Sequence, residues 1–282
     1  MSKPSSLSGD HCSAAAFNLR KVLHRAPDDP GTGSDRLKLA IAPRHAAHGD
    51  SAGTNMLWQE SLALVEQHLR FGRRKVGAGE RIYECGETFD TLYLVSTGLC
   101  KTVNLSADGR EQPAGLHFTG DWLGFDGIAT GRHDCSGAAL DGGEVWTVRY
   151  ETLLLTGARL PQLMRVLLAA MSTQMARHRA ATLAMSTLPA DARVADFLLR
   201  WTQALAERGL RTDQISIHMT RADIGNYVGL TLESVSRALS RLARCGVIRF
   251  DEKGRRDICI PALGALHDFI RTSTEPAEAV LQ

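Results

Sequence analysis

The sequence predicts an α+β fold: an antiparallel β-roll of jelly-roll type, a long helix, and a C-terminal winged helix-turn-helix. Three observations predict it. Short apolar runs separated by glycines fill residues 76 to 143. After Pro161 the chain runs to Leu188 without Gly or Pro and repeats its apolar residues at heptad spacing. The segment Arg221–Ser240, RADIGNYVGLTLESVSRALS, has the spacing of two helices joined by a tight turn.

Taken in order, residues 1–55 are rich in Ser, Gly, Pro, Ala, Asp and His, and Pro4, Pro27, Pro30 and Pro43 punctuate them. Such a composition cannot bury a core, so a disordered tail is expected, with a short helix possible over Phe17–His24. His11, Cys12, His24, His45 and His48 repeat no ligand spacing and read as a solvated tail. Leu57, Leu62, Leu64, Val65 and Leu69 suggest a helix that opens the β-roll domain, 56–159. Val76, Ile82, Leu92, Leu94, Val95, Leu99, Val103, Leu116 and Phe118 then lie in short strands. Gly77, Gly79, Gly86, Gly98, Gly109, Gly120, Gly131, Gly142 and Gly143 mark the turns.

Pro161 suits the first turn of the long helix, 160–188. Met164, Leu168, Met171, Met175, His178, Thr182 and Met185 follow alternating steps of four and three. An amphipathic helix lying on the barrel would give a wider stripe. So narrow a seam favours a parallel dimer. After Pro189, Ala190–Arg208 reads as a helix with Val194, Phe197, Leu198, Trp201 and Leu205 on one face, stopped by Gly209. Ile215 and Ile217 alternate with polar residues, as a short strand does.

In the next segment Thr220 can cap a first helix, with Asp223 as its capping-box partner. Gly225 is small where two helices meet, and Gly229 tolerates the positive φ of the turn. Ile224, Val228, Leu230, Val235 and Leu239 fall at packing positions, and Thr231 caps the second helix. That helix, Leu232–Arg244, projects Glu233, Ser236 and Arg237 from one face at i, i+3 and i+4. Arg can bond both acceptors of guanine, Glu can accept from cytosine N4, and Ser suits several bases. A capping role for Glu233 and a phosphate contact for Arg237 are the plainer alternatives; projection together favours base readout. Val247–Phe250 and Asp257–Ile260 read as a β-hairpin wing. From Thr231 to Arg256 seven basic residues face three acidic ones. Thr220, Thr231, Arg241, Arg255 and Arg256 are the candidate contacts to a DNA backbone. Cys245 follows the second helix among arginines: exposed, it is a candidate redox thiol; buried, it packs the helix end. The domain closes at 272, with a flexible C-terminus at 273–282.

The whole chain carries 33 Lys+Arg and 31 Asp+Glu in 282 residues, so its formal net charge is only +2. A uniformly basic nucleic-acid coat is excluded, and any such surface must be local. No apolar run reaches the ~18 residues of a membrane helix, and no secretory signal opens the chain. Six separated cysteines form no CxxC pair, which argues against a local metal motif and suits a reducing cytoplasm. No nucleophile–base spacing stands out, so an enzyme is not expected.

The order of barrel, dimer helix and winged helix-turn-helix resembles the CRP/FNR superfamily of bacterial transcription regulators over residues 57–270, with a β-roll of the cyclic-nucleotide-binding kind. MTRADIGNYVGLTLESVSRALSRL (Met219–Leu242) and GDWLGFDGI (Gly120–Ile128) look most like the FNR/FixK branch. The resemblance implies a cytoplasmic homodimer that binds double-stranded DNA. It assigns Glu233, Ser236 and Arg237 to a two-fold symmetric TTGAT…ATCAA-like site. It also implies RNA polymerase as a partner, with Asp108–Gln112 as a contact or merely a hairpin tip, and a response to low oxygen or nitrogen oxides. Two departures matter. Cyclic-AMP-binding members carry a Glu where Phe125 stands and an Arg-Ser pair where Cys135-Ser136 stands, so cyclic AMP is not expected. Cluster-bearing members have closely spaced N-terminal cysteines and one in the barrel; here only Cys12 lies in the tail, and Trp146 stands at the barrel position. In cluster-bearing relatives the position of His178 holds an Asp whose repulsion keeps the apo form monomeric until the cluster offsets it. His178 would meet its own symmetry mate or, as the plainer alternative, tilt out to solvent beside Arg177 and Arg179. The expectation is a dimer without cofactor; a haem- or iron–sulfur-dependent sensor of the same fold is the alternative.

Overall fold

The strand Thr91–Thr97 (β3) shows how the β-roll is built. Its LYLV run is apolar on both sides because both sides are covered. Leu92 and Leu94 point into a cluster with Phe89, Trp122, Val148 and three helices, whereas Val95 joins Val76, Ile82, Leu123, Ala139 and Val145 between two sheets. The coordinates are a computed structural model that describes residues 62–105, 111–251 and 254–274, the side chains of 254–256 excepted. The proposed tail, its short helix, residues 57–61 and the 108–110 turn lie outside these residues.

The first sheet has the order β1-β8-β3-β6, with β1 Gly72–Val76, β6 Trp122–Leu123 and β8 Gly143–Arg149. The second has the order β2-β7-β4-β5, with β2 Arg81–Tyr83, β4 Cys100–Leu105, β5 Glu111–His117 and β7 Ser136–Ala139. Every strand pair is antiparallel. The outer face of the first sheet is covered by α1 (62–68), α2 (Tyr150–Arg159) and α3 (Pro161–Thr187). The sequence reading did not anticipate α2, which follows β8 directly. It holds because Leu153 is wholly buried and because Gly157 lets Met164 of α3 lie against it.

The heptad stripe of α3 divides in the structure. Leu163, Leu167 and Ala184 are buried, and with Gln174 and Arg177 they face the β-roll and α4 (Ala190–Ala206). Of the predicted seam, Leu168 and Met175 are about 60% exposed, Thr182 is exposed and Met171 is half-exposed. Met164 and Met185 at its ends are half-buried within their own chain, Met185 lying against Gly229. His178, which the sequence reading aimed at a symmetry mate, is exposed and has a partner within its own chain. Its ring Nε2 donates to the Ala114 carbonyl of β5 at 3.0 Å. A carbonyl can only accept, so the proton sits on Nε2.

The C-terminal part packs α4, α5 (Arg221–Val228), α6 (Leu232–Arg244) and α7 (Leu263–Thr274) with a three-stranded sheet β10-β11-β9. Here β9 is Gln214–Ser216, β10 Arg249–Asp251 and β11 Gly254–Cys259, so the wing is present; α7 is an element the sequence reading did not include. Leu99 and Phe118 of the β-roll share one core with Val194, Phe197, Leu198 and Trp201 of α4. Asp121 ties the same junction electrostatically. Its Oδ2 accepts from Arg177 Nη1 and the Phe118 amide at 2.8 and 2.9 Å, and its Oδ1 accepts from Arg208 Nη2 at 2.7 Å. Arg208 is 3% exposed and also donates to the carbonyls of Thr119 and Ala204.

Candidate nucleic-acid interface

The turn between α5 and α6 is set by two glycines. A Cβ on Gly225 would lie 2.5 Å from the Leu230 carbonyl oxygen, and Gly229 has φ 70° and ψ 43°. Both positions exclude ordinary side chains for the reasons the sequence suggested. Thr220 Oγ1 accepts from the Asp223 amide at 3.0 Å while the Asp223 carboxylate accepts from the Thr220 amide at 3.1 Å, a complete capping box. Asp223 also lies 3.7 Å from Lys101 of β4, which fastens α5 to the β-roll. Thr231 Oγ1 accepts from the Ser234 amide at 3.2 Å and caps α6. Each such cap contributes about 1 kcal/mol.

The α6 helix turns Val235, Ala238, Leu239 and Leu242 inward, all buried. Glu233 and Arg237 are exposed on the opposite side, with Ser236 half-buried beside them. The Glu233 carboxyl is held below its ordinary range by its own backbone amide, then by the Thr231 hydroxyl and Arg237. It is therefore an acceptor at neutral pH, the role a cytosine amino group requires. Arg237 makes one long contact, Nη2 to Ser234 Oγ at 3.4 Å. Arg241 pairs with Asp191 of α4 at 2.9 Å, and its side chain is 62% exposed. Arg244 and Cys245 are exposed at the helix end, so the Cys245 thiol does not pack that end. The side chains of Arg255 and Arg256 lie outside the described residues.

Arg193 was missed by sequence reasoning. Its Nε donates to the Leu188 carbonyl at 2.8 Å and its Nη1 to the Gly229 carbonyl at 3.2 Å. One side chain thus joins the end of α3 to the turn before α6. A signal was available: a cation in the first turn of a helix opposes the helix dipole and needs its own acceptors.

In the β-roll, the positions that resemble a nucleotide pocket are filled from within. Asp126 Oδ2 accepts from the backbone amides of Asp134 and Cys135 at 2.8 and 3.2 Å. The Ser136 hydroxyl accepts from the Cys85 amide at 3.0 Å. Cys135 is buried, and burial pushes its thiol up to about 12. Phe125 packs on Trp122. Trp146 donates to Glu144 Oε1 at 2.6 Å and lies under Arg73. Among the described residues no group of three His, Cys, Asp or Glu side chains is placed to hold a metal. Nor is any helix among them long and apolar enough to cross a membrane.

Comparison with known proteins agrees with this architecture. The family model for a cyclic nucleotide-binding domain matches residues 73–155, and that for a Crp-like helix-turn-helix domain matches 192–269. The chain is 32% identical to the fumarate nitrate reduction regulatory protein of Klebsiella oxytoca over 176 residues, covering 62% of this chain and 70% of that protein. It is 34% identical to the transcriptional regulatory protein btr of Bordetella pertussis over 203 residues, 72% and 82% of the two chains. The solved structure of FixK2 from Bradyrhizobium japonicum superposes with a TM-score of 0.65 at 30% identity, covering 74% of this chain and all of that one.

Proposed function

Because the chain belongs to the CRP/FNR family of transcription regulators, related to FNR and FixK, we propose that it binds, as a homodimer, a two-fold symmetric TTGAT…ATCAA-like DNA site. The observation that carries this reading is the shared outward face of Glu233, Ser236 and Arg237, backed by the buried Val235, Ala238, Leu239 and Leu242. Arg237 reads guanine, Glu233 accepts from cytosine, and Ser236 adds a short polar contact. Thr220 and Thr231 meet the DNA backbone, as do Arg255 and Arg256 of the wing. Arg241 joins them by exchanging Asp191 for a phosphate, since so exposed an ion pair is worth less than ~1 kcal/mol. The exposed Leu168, Met175 and Thr182 supply the dimer contact, and RNA polymerase is the partner at promoters in the cytoplasm.

The fold family implies a cyclic nucleotide, and the residues here do not fit one. The amides at Asp134 and Cys135 already donate to a carboxylate, and Asp126 would repel a phosphate. A neutral thiol stands where a cationic partner is required. We propose that the regulator acts without cyclic nucleotide or cluster, in the response to low oxygen or nitrogen oxides that the relatives' fumarate and nitrate reduction suggests. Arg237→Ala should weaken binding to the symmetric site by about 1–3 kcal/mol and relax selectivity at one base pair per half-site. Equal loss on specific and random DNA refutes base reading. Absorbance spectra of protein purified with and without oxygen test the cofactor-free reading, which a visible band with bound iron overturns.

A further inference from the structure

The turn that follows β2 is fastened to the stretch that leads into β7. Glu84–Glu87 closes on itself, with the Glu87 amide donating to the Glu84 carbonyl at 3.1 Å and Gly86 at φ 86°. The Gly86 amide donates to the His133 carbonyl at 2.8 Å, and the His133 amide donates to the Glu87 carbonyl at 3.0 Å. Cys85 adds two more bonds. Its amide donates to Ser136 Oγ at 3.0 Å and its thiol to the Asp134 carbonyl at 3.3 Å. Cys85 therefore holds the residues on both sides of Cys135.

Those bonds bring two thiols within reach of each other. Across the trans peptide the Asp134 carbonyl oxygen is about 2.8 Å from the Cα of Cys135, so the Cys85 sulfur is within about 6 Å of that Cα. Bonded cysteines have Cα atoms about 5.5–6 Å apart, and a change of χ1 rotamer moves a sulfur by about 3 Å. Side-chain rotation and a slight yielding of the exposed turn bring the two sulfurs together. Cys100 is no rival partner. It pairs with Ala139 in the β4–β7 ladder, four residues further along, or about 13 Å.

The two thiols differ as an attacking and a resolving cysteine do. Cys85 is exposed, whereas Cys135 is buried with its Sγ 3.9 Å from the Tyr83 hydroxyl. Burial, which pushes the Cys135 thiol up to about 12, keeps it protonated and inert by itself, so an oxidant in solution meets Cys85 first.

We propose that Cys85 and Cys135 are a redox-sensitive pair that a hydroperoxide closes to an intrachain disulfide. The Cys85 thiolate attacks a peroxide oxygen. The O–O bond breaks, Cys85 becomes a sulfenic acid, and the departing hydroxide takes up the proton that Cys85 released. The Cys135 sulfur then attacks the Cys85 sulfur, the S–O bond breaks, and the second hydroxide leaves with the Cys135 proton as water. The two thiols lose two electrons and two protons, and one hydrogen peroxide becomes two waters. The new bond withdraws the Cys135 sulfur from Tyr83, whose ring stacks on His133 at 4.0 Å, so oxidation is felt inside the β-roll. Redox state thus takes the place of a nucleotide as the input at Cys135-Ser136. This does not rest on the DNA-binding reading, and its test uses no DNA.

Full-length protein is treated with a small molar excess of hydrogen peroxide under native conditions and alkylated. It is then digested without reductant after arginine and glutamate, which parts Cys85 from Cys100 at Glu87. The Cys85 and Cys135 peptides should appear joined, and dithiothreitol should separate them. Cys85→Ser should slow the loss of the Cys135 thiol at least about tenfold. Cys135→Ala should leave a Cys85 sulfenic acid, with dimedone labelling at least about tenfold above the parent. Should Cys135→Ala not fold, Cys85→Ser, at an exposed position, still decides which thiol reacts first. A treated parent without the joined peptides overturns the proposal. So does Cys85 joined to another cysteine or to a second chain, or a Cys135 thiol lost as fast in Cys85→Ser as in the parent.

Discussion

Replacing Asp121 by Asn is the sharpest test of how the β-roll is joined to the DNA-reading part. The carboxylate serves two guanidinium groups and one amide, and it is 12% exposed on its side chain. After substitution Arg177 keeps Glu207 at 3.1 Å, an acid that is itself 44% exposed. Arg208 keeps two carbonyls and a Glu207 oxygen at 3.7 Å, beyond hydrogen-bond length. A balanced cluster of two cations and two anions becomes net positive in a buried place. Breaking a buried pair costs about 3–5 kcal/mol. The two carbonyls and the remaining Asn oxygen offset part of that, which puts the expected loss at about 2–3 kcal/mol. Urea unfolding followed by tryptophan fluorescence reads the loss as a lowered midpoint. Asp121→Asn combined with Arg208→Met should lose less than the two single changes added together, because the second change removes the stranded charge. A midpoint within about 0.5 kcal/mol of the parent, or simple additivity of the two changes, refutes the reasoning.

Gly225→Ala would place a methyl 2.5 Å from the Leu230 carbonyl and should destabilise by about 1–3 kcal/mol, with lost DNA binding; a variant that melts and binds like the parent rejects the steric account. His117 is buried and its pKa is lowered by that burial from 6.5 to about 4. The unfolded chain thus binds a proton that the folded one refuses. Stability should be complete above about pH 6.5 and fall by ~3 kcal/mol as pH drops towards 4. His117→Gln should flatten that fall, and an identical acid profile in the variant argues against it. The exposed Cys245 beside Arg244 is expected to make DNA binding peroxide-sensitive. Equal loss in Cys245→Ala would exclude that thiol.

Local rules carried the sequence reading furthest where local sterics decide. Gly225, Gly229, Thr220 and Thr231 specify the helix-turn-helix by constraints that span a few residues, and the structure meets each one. The α2 helix was not legible because Gly157 argues against a helix until Met164 is known to fill the space beside it. The contact of His178 with the Ala114 carbonyl was not legible because the two lie 64 residues apart. Likewise, no spacing rule announces that the Asp126 carboxylate will cover the amides of Asp134 and Cys135. Periodicity found the long helix but could not say that its repeat serves two clients. Leu163 and Leu167 answer to the chain's own core while Leu168 and Met175 face outward, one residue out of step.

The Arg193 bracket makes the helix-turn-helix a driven part rather than a free one. Its planar head is anchored at Leu188, where α3 ends, and at Gly229, where the turn begins. Between these anchors the chain travels through α4, β9 and α5, a detour of some 40 residues that the guanidinium bypasses. Any rotation at the Leu188–Pro189 joint therefore reaches the mouth of α6 in a single step, like a tie rod beside a folded linkage. Lysine could not stand in for it, since one ammonium cannot span two carbonyls with a rigid fork. The pitch at which α6 is presented to a groove is thus geared to the end of the long helix.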